Sequence, residues 1–220
     1  DPNDIQYICQ SGQTLQILDL KNCYFDVCYQ TKLLHDFFSN CAHLTELSIS
    51  HIDNLYDPHI PALVDNLTPT ILKLSLAKQR NLRDEHVKKL VKRCNNITHL
   101  DLECTPITND SVYSIIEQLK TSLEKLNVCR TNVDFATLLE LKSMPALKTL
   151  ICFDFFEICY EDTKNLKQQL PHISINEERD LYIAKPFKSV NESDDTDWIW
   201  EIRAKEQNLF AKVEDTIDII

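Results

Sequence analysis

The chain reads as an α/β solenoid of about seven stacked repeats, and three features of its 220 residues carry that reading. An apolar frame, LxxLxL, returns along most of the chain. An apolar pattern at helical spacing fills the gaps between its copies. The composition holds a single glycine, Gly12. Self-similarity in this frame at roughly 20–29 residues is the signature of leucine-rich repeats, in which each unit is too small to bury its own apolar face and must stack on its neighbours.

The frame fits at Leu15, Leu18, Leu20; at Leu44, Leu47, Ile49; and at Ile71, Leu74, Leu76. It returns at Ile97, Leu100, Leu102; at Leu123, Leu126, Val128; and at Leu147, Leu150, Cys152. A weaker last copy is Leu170, Ile173, Ile175, so the central positions step through 18, 47, 74, 100, 126, 150 and 173. Each copy predicts a short strand, because LxL puts two apolar side chains on one face and the residue between them on the other.

Between strands, Val87, Leu90 and Val91 share one helix face, as do Val112, Ile115, Ile116 and Leu119. Leu138, Leu139 and Leu141 repeat the pattern, and Leu166 and Leu170 close it. Arg-Asp before Glu85 and Thr-Asn-Asp before Ser111 are expected helix starts. Cys41 and Cys94 each precede the next frame by three residues. Cysteine behaves there as a small hydrophobe at a tight helix-to-strand corner, which defines the cysteine-containing type of repeat.

On this reading, residues 1–14 are an N-terminal linker, 15–175 the repeat domain and 176–220 a C-terminal tail. The tail changes character, with IAKPF, an acidic NESDDTD stretch and WIWEI, which holds Trp198 and Trp200. Its alternating pieces predict partial order and a return onto the concave side of the solenoid.

Composition bounds the chemistry. Average usage of about 7% would give roughly 15 glycines, and phosphate loops, dinucleotide turns and nucleophile elbows all depend on them. Turns built on Asn, Asp and Pro are expected to take glycine's place. A net charge of −11 disfavours nucleic acid, and no apolar run suits a membrane span. Nine cysteines without a CxxC pair read as reduced thiols of a nuclear or cytoplasmic protein. Cys104 and Cys129 are expected to be partly exposed just past their strands, with Arg130 beside Cys129. Seven histidines show neither HxxxH nor HExxH spacing, so no metal, cofactor or catalytic group is assigned. The chain is read as a non-enzymatic binding module, with Lys73, His99, Asp101, Lys125 and Asn127 as an exposed polar surface for a protein partner.

A resemblance adds what periodicity cannot. The stretches SNCAHLTELSIS, KLVKRCNNITHLDL, ATLLELKSMPALKTL and LPHISIN, followed by IAKP and IWEI, resemble in the same order a family of F-box leucine-rich-repeat proteins. These are substrate receptors of SCF-type (cullin–RING) ubiquitin ligases. The resemblance covers roughly residues 15 to 204, and its most specific part is the tail. It implies an F-box upstream that binds the Skp adaptor and, through it, the cullin. It also implies a Cks-family accessory protein on the concave face and tail, and a phosphorylated cyclin-dependent kinase inhibitor as substrate.

By the same resemblance, Arg80 in LSLAKQRNL receives an acidic substrate residue, in a turn one residue shorter than the family's. His51 in LSISHID stands at the aromatic position beside it, and Arg130 in LNVCRTN aligns with a Cks-contacting arginine. Cys104 in LDLECTP stands where the family has an acidic interface residue, with Glu103 next to it as a substitute, and Trp200 is the tail's candidate contact. Two alternatives stay open. One is a receptor of this kind for a different substrate. The other is a leucine-rich-repeat scaffold outside the ligases, such as a GTPase regulator or a nuclease inhibitor, since fold alone does not assign function.

Overall fold

The computed structural model describes residues 14–21, 38–50, 59–153 and 160–176. Seven strands form one parallel sheet in strict chain order. They are β1 (Ile17–Asp19), β2 (Glu46–Ser48), β3 (Lys73–Ser75), β4 (His99–Asp101), β5 (Lys125–Asn127), β6 (Thr149–Ile151) and β7 (Ser174–Ile175). The helices are α1 (His59–Asn66), α2 (Asp84–Arg93), α3 (Asn109–Leu119), α4 (Phe135–Leu139) and α5 (Tyr160–Gln169), with a 3-10 turn over Glu140–Ser143. Neighbour-only pairing is the topology of a leucine-rich-repeat solenoid.

The register follows the apolar frame. Leu18, Leu47, Leu74, Leu100, Leu126, Leu150 and Ile175 pair in one unbroken row across the sheet. All are buried, as are the flanking rows from Leu44 to Ile173 and from Ile49 to Cys152. Removing any one of these leucines to alanine would cost about 2–5 kcal/mol, because the gap opens inside a packed stack.

The last copy sits differently from the expectation. Ile175, not Ile173, pairs with Leu150. Ile173 takes the first apolar place instead, its N–H bonding Leu170 O at 3.0 Å as Leu147 N–H bonds Met144 O at 3.2 Å. Only one residue separates the two isoleucines, so this copy lacks a residue of the frame and the period rule reads it out of phase.

Local signals set the helix ends. Arg83 has extended backbone before α2, and its N–H donates to His86 Nδ1 at 3.0 Å. Thr108 caps α3, and Asp134 caps α4 by accepting from Thr137 N–H at 2.7 Å. That bond holds the Asp134 carboxyl below its usual pKa. The expected face of Leu138, Leu139 and Leu141 is split: α4 stops at Leu139 and Leu141 belongs to the tighter 3-10 turn. This repeat has the shortest step between central positions, 24 residues from Leu126 to Leu150.

Cys41 and Cys94 are buried at helix-to-strand corners as expected. Cys94 Sγ lies 3.4 Å from Thr68 O, and burial pushes its thiol up to about 11. Residues 1–13 and 177–220, and with them the N-terminal linker and nearly all of the tail, lie outside the described residues, as do His51 and Trp200.

Candidate functional site

Two rows of side chains project from the sheet opposite the leucines. The first strand positions give Glu46, Lys73, His99, Lys125 and Thr149, and the third give Ser48, Ser75, Asp101, Asn127 and Ile151. Alternation along a strand predicts that these polar groups meet water. Lys73 and His99 are half-buried, but Asp101, Lys125 and Asn127 are only 3%, 6% and 2% exposed. The expected open polar surface is therefore closed over at β4 and β5.

What closes it is internal bonding. Asn127 Nδ2 donates to Asp101 Oδ1 at 2.6 Å and to Glu103 Oε2 at 3.0 Å, while its Oδ1 accepts from Cys129 N–H at 3.1 Å. Ser75 Oγ donates to Asp101 Oδ2 at 3.0 Å. Buried carboxylates need such donors, since an unsatisfied charge would cost far more than these bonds return. Glu103, a candidate contact by resemblance, is thus a 4% exposed member of this network.

His99 stands in register between Lys73 and Lys125. Thr98 Oγ1 gives its one hydrogen to Leu72 O at 3.0 Å, so it accepts from His99 Nδ1–H at 2.9 Å. The ring is neutral at pH 7, with Nε2 left as its acceptor. Burial, then Lys73 and Lys125, push its pKa down to about 4 against the opposing pull of Glu124. Lys73 Nζ pairs with Glu46 at 2.7 Å.

The rim beyond the strands is built on an unusual backbone feature. Lys78, Cys104 and Arg130 have φ of 62°, 56° and 54°. Each lies four residues past the central leucine of its repeat, and each N–H extends the sheet ladder. Lys78 N donates to Glu103 O at 2.7 Å, Cys104 N to Cys129 O at 2.8 Å, and Arg130 N to Phe153 O at 3.3 Å. The expectation that Asn, Asp and Pro replace glycine fails at these three turns. Left-handed backbone costs an ordinary residue about 1–2 kcal/mol, and it persists here because the ladder bond and the next residue over-determine the turn. That next residue is Thr105 or Thr131, whose hydroxyls return to Leu102 O at 2.6 Å and Val128 O at 2.7 Å.

In the third repeat the same place is held by Gln79, whose Nε2 reaches back to Ile49 O at 2.6 Å. Arg80 follows it. Buried Gln79 and Leu82 flank Arg80, and Leu82 N–H bonds Gln79 O at 3.1 Å, so its backbone is pinned while its side chain is exposed. Arg80 has no hydrogen-bond or ion-pair partner among the described residues.

Arg130 is also exposed, but it holds a different turn position from Arg80, two repeats away. Cys104 is half-buried, whereas Cys129 is fully buried, with Sγ 3.4 Å from Phe153 N–H, against the expectation of partial exposure. Inward packing at the third place past each central leucine explains the difference, since Glu103 is equally hidden there. Among the described residues, no group of His, Cys, Asp and Glu is placed to hold a metal ion.

Sequence reasoning missed Asn127 as a bridge, and missed Gln79 and Thr105. The recurrence of Thr at 105 and 131, one repeat apart, was a usable signal for the turns.

A family profile described as the SKP2 LRR domain matches residues 3–207. The chain belongs to this family. Solved structures similar to this SKP2-type domain include one of leiomodin-1 actin-binding site 2, at 16% identity and TM-score 0.41, covering 77% of this chain and 87% of that one. Another is the tropomodulin C-terminal domain from Caenorhabditis elegans, at 11% identity and TM-score 0.42, covering 82% of this chain and 97% of that one.

Proposed function

We propose that this SKP2-type domain is the substrate-recognition region of an SCF-type ubiquitin ligase. Its cargo on this reading is a phosphorylated cyclin-dependent kinase inhibitor, bound jointly with a Cks-family accessory protein. The observation that carries the proposal is the family match, which runs past Asn176, the last described residue, to residue 207. Repeats alone give no reason for a match there. The mechanism is positional: the receptor performs no chemistry, and holding a substrate lysine near the charged conjugating enzyme raises its effective concentration. Skp adaptor and cullin engage through an F-box that the proposal places upstream of Asp1.

Arg80 supports the reading because an exposed, unpaired guanidinium on a pinned backbone can grip a carboxylate with two parallel N–H bonds. Hydrogen bonds to charged groups contribute about 1.5–3 kcal/mol, so Arg80→Ala should weaken phosphopeptide binding by roughly tenfold or more in the presence of the Cks protein. Titration calorimetry reads this directly, and unchanged affinity would falsify the acid-reading role. A second reading, a ligase receptor for another substrate, draws on Glu103, whose carboxylate is already bonded to Asn127. No Cks binding by the intact chain would favour it.

A further inference from the structure

Charge is unevenly placed on this molecule. The chain carries 34 acidic against 23 basic residues, yet the solvent side of α2 exposes Lys88, Lys89, Lys92 and Arg93. His86, Val87, Leu90 and Val91 bury the opposite side. At 3.6 residues per turn Lys88 stands over Lys92 and Lys89 over Arg93, two like-charged pairs that each cost a helix about 0.2–0.5 kcal/mol. The helix dipole favours Lys92 and Arg93 in the last turn but does nothing for Lys88 and Lys89.

Neutralisation is thin. Lys89 has Asp65 at 3.9 Å, and Arg93 Nε donates to Leu67 O at 2.6 Å. Lys88 and Lys92 have no partner among the described residues. Asp84 is taken up by Thr108 and Ser111 of the next repeat, which leaves Glu85 as the one carboxylate of α2 free of that cluster.

The basic strip is one helix wide. Exposed Asp65 of α1 lies on one side, and exposed Asp110 and Glu117 of α3 on the other. A helix of this length runs about 15 Å, with its neighbours about 10 Å away. A nucleic-acid duplex or a bilayer is broader than that and would meet the flanking carboxylates. An extended polypeptide, at about 3.3 Å per residue, fits along it. We propose that the solvent face of α2 is a docking strip for a short acidic segment, about four or five residues long, of a separate protein.

Fluorescence anisotropy of a labelled hexaglutamate peptide against the full chain tests this. Binding should weaken steeply between about 50 and 200 mM salt, as screening of exposed charges requires. Lys88→Glu/Lys92→Glu should weaken it about tenfold, while Lys142→Glu/Lys164→Glu, also on exposed helix positions, should not. Equal loss in both variants overturns the proposal, and so does tighter binding of a single-stranded RNA or of phosphatidylserine vesicles. Neutralising the chain's own acidic stretch, with Glu192→Gln, Asp194→Asn, Asp195→Asn and Asp197→Asn together, should leave the affinity unchanged. A tenfold gain there would assign the strip to that segment instead. Arg80→Ala is expected to be silent in this assay, so failure here is separable from failure of the ligase reading.

Discussion

Asp84 ties two repeats together through a single carboxylate, and removing it should weaken their junction. Its Oδ1 accepts from Thr108 N–H at 2.8 Å and from the Ser111 hydroxyl, and its Oδ2 from Thr108 Oγ1 at 2.8 Å. Asp84 opens α2, whereas Thr108 and Ser111 open α3, so all three bonds cross the repeat interface. Each bond to a charged group contributes about 1.5–3 kcal/mol; Thr108 is half-buried and partly recovers water, whereas Ser111 is fully buried and does not. The net loss for Asp84→Ala is therefore about 3 kcal/mol, taken from the interface between neighbouring repeats.

Asp84→Asn keeps one oxygen for Thr108 N–H, lets Thr108 Oγ1 turn to accept, and should cost about 1 kcal/mol. Urea unfolding measures both, a 3 kcal/mol loss moving the midpoint by roughly 1.5 M at an m-value of about 2 kcal/mol/M. The pH dependence is a second reading of the same bonds. Burial works to raise the carboxyl pKa, but the Ser111 and Thr108 donors outweigh it, and the result lies below 3.8. A depressed acid stabilises the fold above its unfolded pKa and loses that contribution as pH falls through the folded value. The gap between the native chain and Asp84→Asn should thus narrow below pH 3.8. A gap that stays constant to pH 3, or an alanine cost under about 1 kcal/mol, would refute the interface role.

Three further outcomes follow from the same geometry. Cys104→Gly should stabilise by about 0.5–1 kcal/mol, the left-handed strain relieved less glycine's entropic cost, while Cys104→Val should destabilise; urea midpoints of the pair distinguish relief of strain from loss of the thiol. His99 should stay neutral by nitrogen-detected NMR down to near its folded pKa of about 4, against 6.5 when unfolded. Between those values the unfolded chain binds the extra proton, so this histidine's contribution is intact above pH 6.5 and declines toward pH 4. Asn127→Asp turns a two-way donor into a third carboxylate beside Asp101 and Glu103, and at pH 7 it should cost more than Asn127→Ala by urea unfolding, about 3 kcal/mol or more in total.

The apolar ladder was legible because a parallel stack must repeat its inward residues at fixed distance. The corner cysteines were legible for the same reason, each falling where a helix turns back into a strand. Ile173 was misread because a one-residue deletion is invisible to a period rule until pairing with Leu150 shows which isoleucine is central. The rim was misread from residue type. Lys78, Cys104 and Arg130 carry no preference for left-handed backbone, and only Asn176, with φ of 54°, is the kind of residue that announces it. Concave polarity was the subtler error. Alternation told correctly which way Asp101 and Asn127 point, but not that Ser75, Asp101, Glu103 and Asn127 satisfy one another and leave water behind.

That closure bears on where recognition can occur on the reading proposed above. A partner laid across β4 and β5 would have to compete with bonds as short as 2.6 Å between Asn127 and Asp101, giving back only equivalent bonds for those it breaks. At Arg80 nothing has to be broken, because the turn is fixed by Gln79 and Leu82 and the guanidinium is solvated rather than paired. Binding there loses little backbone freedom, and ordering the exposed side chain is offset by a charge-assisted pair with a carboxylate, the balance under which an exposed arginine becomes an energetic anchor. The rim, more than the floor of the sheet, is therefore where substitutions should separate affinity from stability: Arg80→Ala should change binding and leave the urea midpoint in place, while Asn127→Asp should do the reverse at first order.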